Sequence, residues 1–391
     1  MDQLGTLVGM LLSVSISIFG LYEGQYSVRN FGVSPSGNKV IFEVEEGGSK
    51  TTRRVRVVLR EYKSDGSYVD THVCGGSEET EVRDSRSGRV REVCIERVAS
   101  AKHFNWLDEE RVIFFLGWVT ATGGRTALVM YDGEQLHYLM DGLVHQELSV
   151  YGNRFVGVSN KLPYPYYGPW VVGEIKPDAS LELRELSDID PPGEKLAMPV
   201  LAGDRVYAAK HVGPLRSELW MYDLRVGKLE RASEYDGLIA DKSAQGALAY
   251  EVGSTQPWLP GTAYTWGTLY GKDLLVIDST GAQHWLDAPE VEMRDIEEIC
   301  VQGAIFSPDG EKLLVVLSKN DGEVTLWKKL YVVDWVRGKW QEVKWPEADE
   351  YWFESFWYWR PNGVWWSLSS KVRAMTSTIA VVDGLEEVTA E

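Results

Sequence analysis

Along most of the chain, short unbroken apolar runs alternate with compact polar turns, and no 3.6-residue periodicity joins them. The clearest instance is Phe306-Ser307-Pro308-Asp309-Gly310-Glu311-Lys312-Leu313-Leu314-Val315-Val316. Pro308 presets φ for a tight turn, Asp309 can bond its own backbone, and Gly310 takes the φ > 0 position before a strand begins. The same device stands at Ser34-Pro35-Ser36-Gly37 and at Arg360-Pro361-Asn362-Gly363. Degenerate copies occur at Leu107 to Arg111, Tyr151 to Arg154, Ala202 to Arg205 and Ala244 to Ala247, completing seven. A second pattern, an apolar strand running into an Asp-and-Gly turn, follows in each unit. It reads Tyr331-Val332-Val333-Asp334 to Gly338, Trp220-Met221-Tyr222-Asp223 to Gly227, and Leu275-Val276-Ile277-Asp278 to Gly281. Weaker copies lie at Asp84 to Gly88, Asp132-Gly133, Pro177-Asp178 and Asp383-Gly384.

Two turn types alternating seven times predict an all-β array of four-stranded antiparallel units. Radial closure is the usual way such an array protects its edges, so the expected fold is a seven-bladed β-propeller over residues 22–391, with six blades if unit three merges with a neighbour. The strand-Ser-Pro-Asp-Gly-Lys-strand and strand-Asp-x-x-x-Gly-Lys-strand patterns resemble the repeat of TolB-type, WD-like β-propellers. These propellers also form the non-catalytic domain of prolyl-oligopeptidase-type peptidases. The resemblance implies a fold and carries no activity with it.

Three readings concern the ends of the array. Val55 to Tyr62 and Tyr68 to Val73, flanking Lys63-Ser64-Asp65-Gly66, read as an extra hairpin in unit one. The last unit is expected to hold its own fourth strand at Leu385 to Thr389, leaving no vacancy for Leu12 to Phe19. Residues 4–21 carry no charge and are long enough to span a bilayer, which favours an export signal or membrane anchor. Met1-Asp2-Gln3 lacks the basic start of a signal, and Val14, Ile16 and Ile18 alternate with serines as in a strand. A closing strand there would go with a cytoplasmic protein, and both readings stay open.

Aromatic residues stand out in the composition, with 16 Trp and 19 Tyr, and several cluster in insertions. Unit three carries Tyr164, Tyr166, Tyr167 and Trp170, unit five Trp258, Tyr264, Trp266 and Tyr270, and the start of unit seven Trp352. The first two insertions fall between second and third strands, so a propeller puts them on one face. Trp352 is expected in a loop on that same face. Rigid aromatic faces on exposed loops suit recognition of a protein, peptide or glycan.

Charge and chemistry narrow the rest. A net charge of −18 disfavours nucleic acid as a partner. No Gly-x-Ser-x-Gly elbow, P-loop or dinucleotide fingerprint is present, so no catalytic residue and no cofactor is assigned. The six histidines are scattered and the three cysteines form no CxxC pair, so no metal site is expected. Cys74 and Cys94 read equally as a bridge or as two buried thiols. The resulting expectation is a non-enzymatic binding or scaffold module. The alternatives are a hydrolase or lyase at the mouth of the central channel, and an accessory subunit of a separate catalytic chain.

Overall fold

The structure is a computed structural model. It describes residues 15–20, 28–45, 55–65, 67–76, 80–84, 91–95, 98–120, 123–143, 148–159, 169–186, 196–213, 216–233, 235, 237–252, 273–289, 297–321, 324–343, 351–370 and 378–383.

All regular elements among the described residues are strands, and they form seven sheets. Each sheet is one blade, and its strands run outward from the centre in chain order, apart from strands added at the outer edges of blades two and seven. The innermost strands are Val28–Val33, Val98–Trp106, Ser149–Tyr151, Leu196–Ala202, Gly237–Lys242, Glu297–Phe306 and Tyr351–Arg360 for blades one to seven. The expected seven-turn count matches: every turn of the first type joins an innermost strand to the second strand of its blade.

Each second strand is apolar on both faces because a blade is covered on both sides. In Val112-Ile113-Phe114-Phe115-Leu116, Val112, Phe114 and Leu116 pack with Ile41 and Val57 of blade one, whereas Ile113 and Phe115 pack with Phe155 and Val171 of blade three. Blades three and four share Val156, Leu201 and Val206, blades four and five Tyr207, Leu219 and Tyr250, and blades five and six Ala249, Val276, Val315 and Leu317. The innermost strands of blades six and seven also touch. Val33, Val40 and Phe42 of blade one pack with Trp365 of blade seven, which closes the ring.

Three sequence expectations are corrected. Val55–Tyr62 and Tyr68–Gly75 are the third and outermost strands of blade one, and no extra hairpin exists there. The added hairpin is Thr80–Asp84 with Arg91–Ile95, and it extends blade two to six strands by pairing parallel to Leu136–Asp141. Asp65 takes the part assigned to Asp84: its Oδ1 accepts the Ser67 N–H at 2.9 Å, the same short loop that Asp132, Asp178, Asp223 and Asp278 make, while Asp334 accepts one residue further on, from Arg337. The third correction is at the N-terminus. Ser15–Gly20 is the outermost strand of blade seven, antiparallel to Thr378–Asp383 with Ser15 opposite Asp383 and Gly20 opposite Thr378. The blade therefore did have a vacancy. Residues 385–389, read as its fourth strand, lie outside the described residues. Pairing the two ends of the chain in one sheet fastens the ring by backbone hydrogen bonds as well as by packing.

The turns meet one another around one mouth of the channel. Gly310 and Gly37 have φ of 73° and 80°, and a Cβ on either would strike the side chain of the preceding blade's turn, Gln245 and Asn362 respectively. Asn362 Nδ2 also donates to Gly37 O at 3.0 Å. Gly310→Val therefore meets both backbone strain and a neighbour, and it is expected to lower stability by about 1 to 3 kcal/mol in denaturant unfolding. Asp309→Ala, which loses an acceptor for the Glu311 N–H at 3.0 Å, should cost less. A chain beginning at residue 22 should unfold at lower denaturant than the full chain, and a peptide of residues 12–22 should restore the difference. Equal midpoints would show that the N-terminal strand does not hold the ring.

Candidate functional site at the channel mouth

Every innermost strand has one edge without a strand partner. Unpaired backbone groups away from water cost about 1–3 kcal/mol each, so they need side-chain partners. At four joints the blade before supplies them. Glu43 Oε2 accepts the Ala101 N–H at 2.7 Å, Ser149 Oγ accepts the Leu201 N–H at 3.0 Å, and Asp241 Oδ2 accepts the Phe306 N–H at 2.8 Å. Across the joint between the last and first blades, Arg360 Nη2 donates to Val33 O at 3.3 Å and the Tyr358 hydroxyl to Phe31 O at 3.4 Å.

Two charged members of this set, Asp241 and Arg360, line a cavity of about 510 Å³ at the turn-bearing mouth. Six blades contribute, including Asn105, Trp106, Tyr151, Asp241, Lys242, Tyr358 and Arg360. A register shift between Ile239 and Asp241 bulges the innermost strand of blade five just ahead of the pair, as bulges do in six of the seven innermost strands. Lys242 crosses to blade three, where its Nζ donates to Ser149 Oγ at 2.5 Å and to Val150 O. Burial pushes the Asp241 carboxyl up to about 6 against the pull of the Phe306 N–H and the Lys242 charge. Burial likewise brings the Lys242 ammonium down to about 7. Arg360 is lowered by burial, and its guanidinium lies over the Tyr358 ring at 4.9 Å, while burial raises the Tyr358 hydroxyl.

Sequence reasoning did not find Asp241, Lys242 or Arg360. A signal was present: the two residues before the turn serine are Gly32-Val33 in unit one and Ile305-Phe306 in unit six, but Asp241-Lys242 in unit five. Two charges where these equivalent strands end on apolar or small residues mark a position that meets polar partners rather than an apolar blade face.

The aromatic candidates fare differently. Trp170 is 1% exposed in the core between blades three and four, beside Val158, Leu186 and Leu196. As the first residue of a third strand it turns towards the next blade, so it is removed from the exposed set. Tyr164, Tyr166, Tyr167, Trp258, Tyr264, Trp266 and Tyr270 lie outside the described residues. The strands on either side of them do join second to third positions in blades three and five, so both insertions leave from the face opposite the charged mouth. Trp352 belongs to the innermost strand Tyr351–Arg360, at its start on that opposite face, and not to a loop.

Among the described residues no group of three His, Cys, Asp or Glu side chains could hold a metal. His137 and His284 instead bond Asp132 and Asp278 in outer turns, at 2.6 and 3.1 Å. Cys74 is an unbridged buried thiol, which goes against a bridge to Cys94, and burial raises it; the Cys94 side chain lies outside the described residues.

No protein-family model and no curated protein matches the chain. Solved structures do. The chain is similar to the β-propeller domain of the trilobed protease from Pyrococcus furiosus, with a TM-score of 0.53 at 11% identity over 92% of this chain and 93% of that one. It is also similar to the Pyrococcus horikoshii acylaminoacyl peptidase, with a TM-score of 0.51 at 11% identity over 91% of this chain and 51% of that one. TolB from Acinetobacter baumannii aligns over 91% of this chain and 78% of its own at 12% identity, with a TM-score of 0.35. The first two establish a β-propeller fold, and this chain spans about half the length of the acylaminoacyl peptidase.

Glu251, 9% exposed, is the last carboxylate before the unit-five insertion. Like Glu43 in blade one it follows an apolar triplet and faces the next blade, but burial alone acts on it and pushes it up to about 8. A raised carboxyl binds its proton more tightly folded than unfolded, so its contribution to stability falls as pH rises from about 4.5 through 8. Glu251→Gln should therefore gain stability relative to wild type across that interval in paired denaturant titrations, and a pH-independent difference would contradict the burial.

Proposed function

We propose that the chain is a non-enzymatic propeller module that recognises a protein, peptide or glycan partner through aromatic loops on one face. The observation that carries this reading is topological. The insertions holding Tyr164, Tyr166 and Tyr167 and holding Trp258, Tyr264, Trp266 and Tyr270 both run from a second to a third strand, in blades three and five. The Trp352 end of the innermost strand of blade seven points to the same side. A rigid ring that presents several aromatic loops together suits recognition.

A hydrolase or lyase at the channel mouth is favoured by one observation, the proximity of an acid near 6 and an amine near 7 in one cavity. No activated nucleophile accompanies them among the described lining residues. An accessory role beside a separate catalytic chain fits the half-length match to a peptidase.

Affinity capture from the native host, with the full chain as bait, tests the leading reading. Tyr166→Ala combined with Trp258→Ala and Trp266→Ala should abolish capture of the specific partner and leave thermal unfolding nearly unchanged. Trp170→Ala should do the reverse, costing about 3–5 kcal/mol of stability with capture intact in the folded fraction. Capture that survives the triple substitution would overturn the reading.

A further inference from the structure

Once the inner edges of the blades are satisfied, some donors at the charged mouth remain. Arg360 Nε and Trp106 Nε1 are sealed from solvent and have no hydrogen-bond partner among the described residues, and both residues contribute to the wall of the 510 Å³ cavity. Lys242 spends two N–H groups on Ser149 Oγ and Val150 O, so a protonated ammonium holds a third. The remaining Arg360 contacts are long, 3.3 Å to Trp359 O and 3.3 Å to Val33 O. Opposed to these donors stands one carboxyl, Asp241, with one oxygen already taken by the Phe306 N–H.

Among its described lining residues the cavity therefore carries two cationic side chains against one carboxyl, inside a chain whose net charge is −18. A protein with that charge repels anions from its outer surface, so two cationic side chains gathered in one recess form a local exception to its field. The recess has the size of a small-molecule or short-peptide site. Arg favours planar bidentate acceptors, and an indole N–H adds a directional donor. A dianion such as phosphate suits the site less well, because Asp241 stands in it and only two cations offset its charge. The apolar walls, Phe104, Ile305, Phe306 and Trp359, fit the uncharged body of a ligand whose acidic end meets the donors.

We propose that the turn-bearing mouth of the channel is a binding site for a carboxylate, carried by a peptide C-terminus or by an organic acid. This site lies on the face opposite the aromatic insertions and does not depend on them.

Isothermal titration calorimetry on the full chain at pH 7 tests it with four probes: acetyl-Ala-Ala-Phe as the free acid, the same peptide as its C-terminal amide, benzoate, and inorganic phosphate. The free acid should bind at least about tenfold more tightly than the amide, the size expected for a charge-assisted bidentate contact. Benzoate matching the peptide would identify an organic acid as the source, and benzoate binding more weakly a peptide terminus, both within the proposal. Arg360→Gln should reduce free-acid affinity at least about tenfold. Because Arg360 also serves the joint between blades, Trp106→Phe provides a variant that keeps the ring and removes only the donor, and it should weaken the free acid without weakening the amide. Equal binding of acid and amide, no binding by any probe, unchanged affinity in Trp106→Phe, or phosphate competing as well as the free acid would each overturn the assignment.

Discussion

Seven strands that converge on an axis leave seven backbone edges without a ladder partner, and that constraint explains the polar interior of this propeller. At four of the seven joints a side chain from the preceding blade meets that edge: Glu43 for Ala101, Ser149 for Leu201, Asp241 for Phe306, Arg360 for Val33. Such residues have a structural duty before any functional one. The shifts of Asp241 to about 6 and Lys242 to about 7 follow from placing charges in that wall, and the pair alone does not mark a catalytic centre. What points beyond structure is the surplus, the donors of Arg360 and Trp106 that no edge uses.

The second constraint is that each blade is apolar on both faces and needs two neighbours. A chain of such units is stable only as a ring, since an open end would expose a face like that of Val40, Phe42 and Trp365. Closure here is double. Tyr358 packs edge-on to Phe31 at 5.8 Å across the joint, and Ser15–Gly20 completes the last sheet from the other end of the chain. The hydrophobic run that suggested a signal or anchor is, over these six residues, a strand.

Much of the fold was legible because turns carry local chemistry. A Ser-Pro-Asp-Gly sequence dictates its own hydrogen bonds, and all seven turns of the first type fell at the predicted junction. The misassignments are equally physical. Lys63-Ser64-Asp65-Gly66 and Asp84 to Gly88 are both competent hairpin turns, and only sheet order decides which belongs to the blade. Ser15–Gly20 alternates as a strand should, but its partner lies more than 350 residues away at Thr378–Asp383, beyond any local signal. Trp170 looked like its neighbours in an aromatic insertion, yet it begins a strand and inherits that strand's burial. The channel residues come from strand ends whose bulges reset which side faces the axis, so alternation could not place them. Only the replacement of apolar residues by Asp241-Lys242 hinted at their role.

The claim that inner edges are held by side chains from the blade before can be tested at a single amide. Hydrogen exchange at the Phe306 N–H, followed by NMR or mass spectrometry under native conditions, should be slow in the wild type. In Asp241→Ala it should accelerate by at least about tenfold, corresponding to the loss of more than 1.4 kcal/mol of local protection. Exchange at Ala101 and Leu201, held by Glu43 and Ser149, should stay unchanged. If the Phe306 amide exchanges at the wild-type rate without the Asp241 carboxylate, the inner edges are protected by something other than these side chains, and the explanation for the charged channel fails.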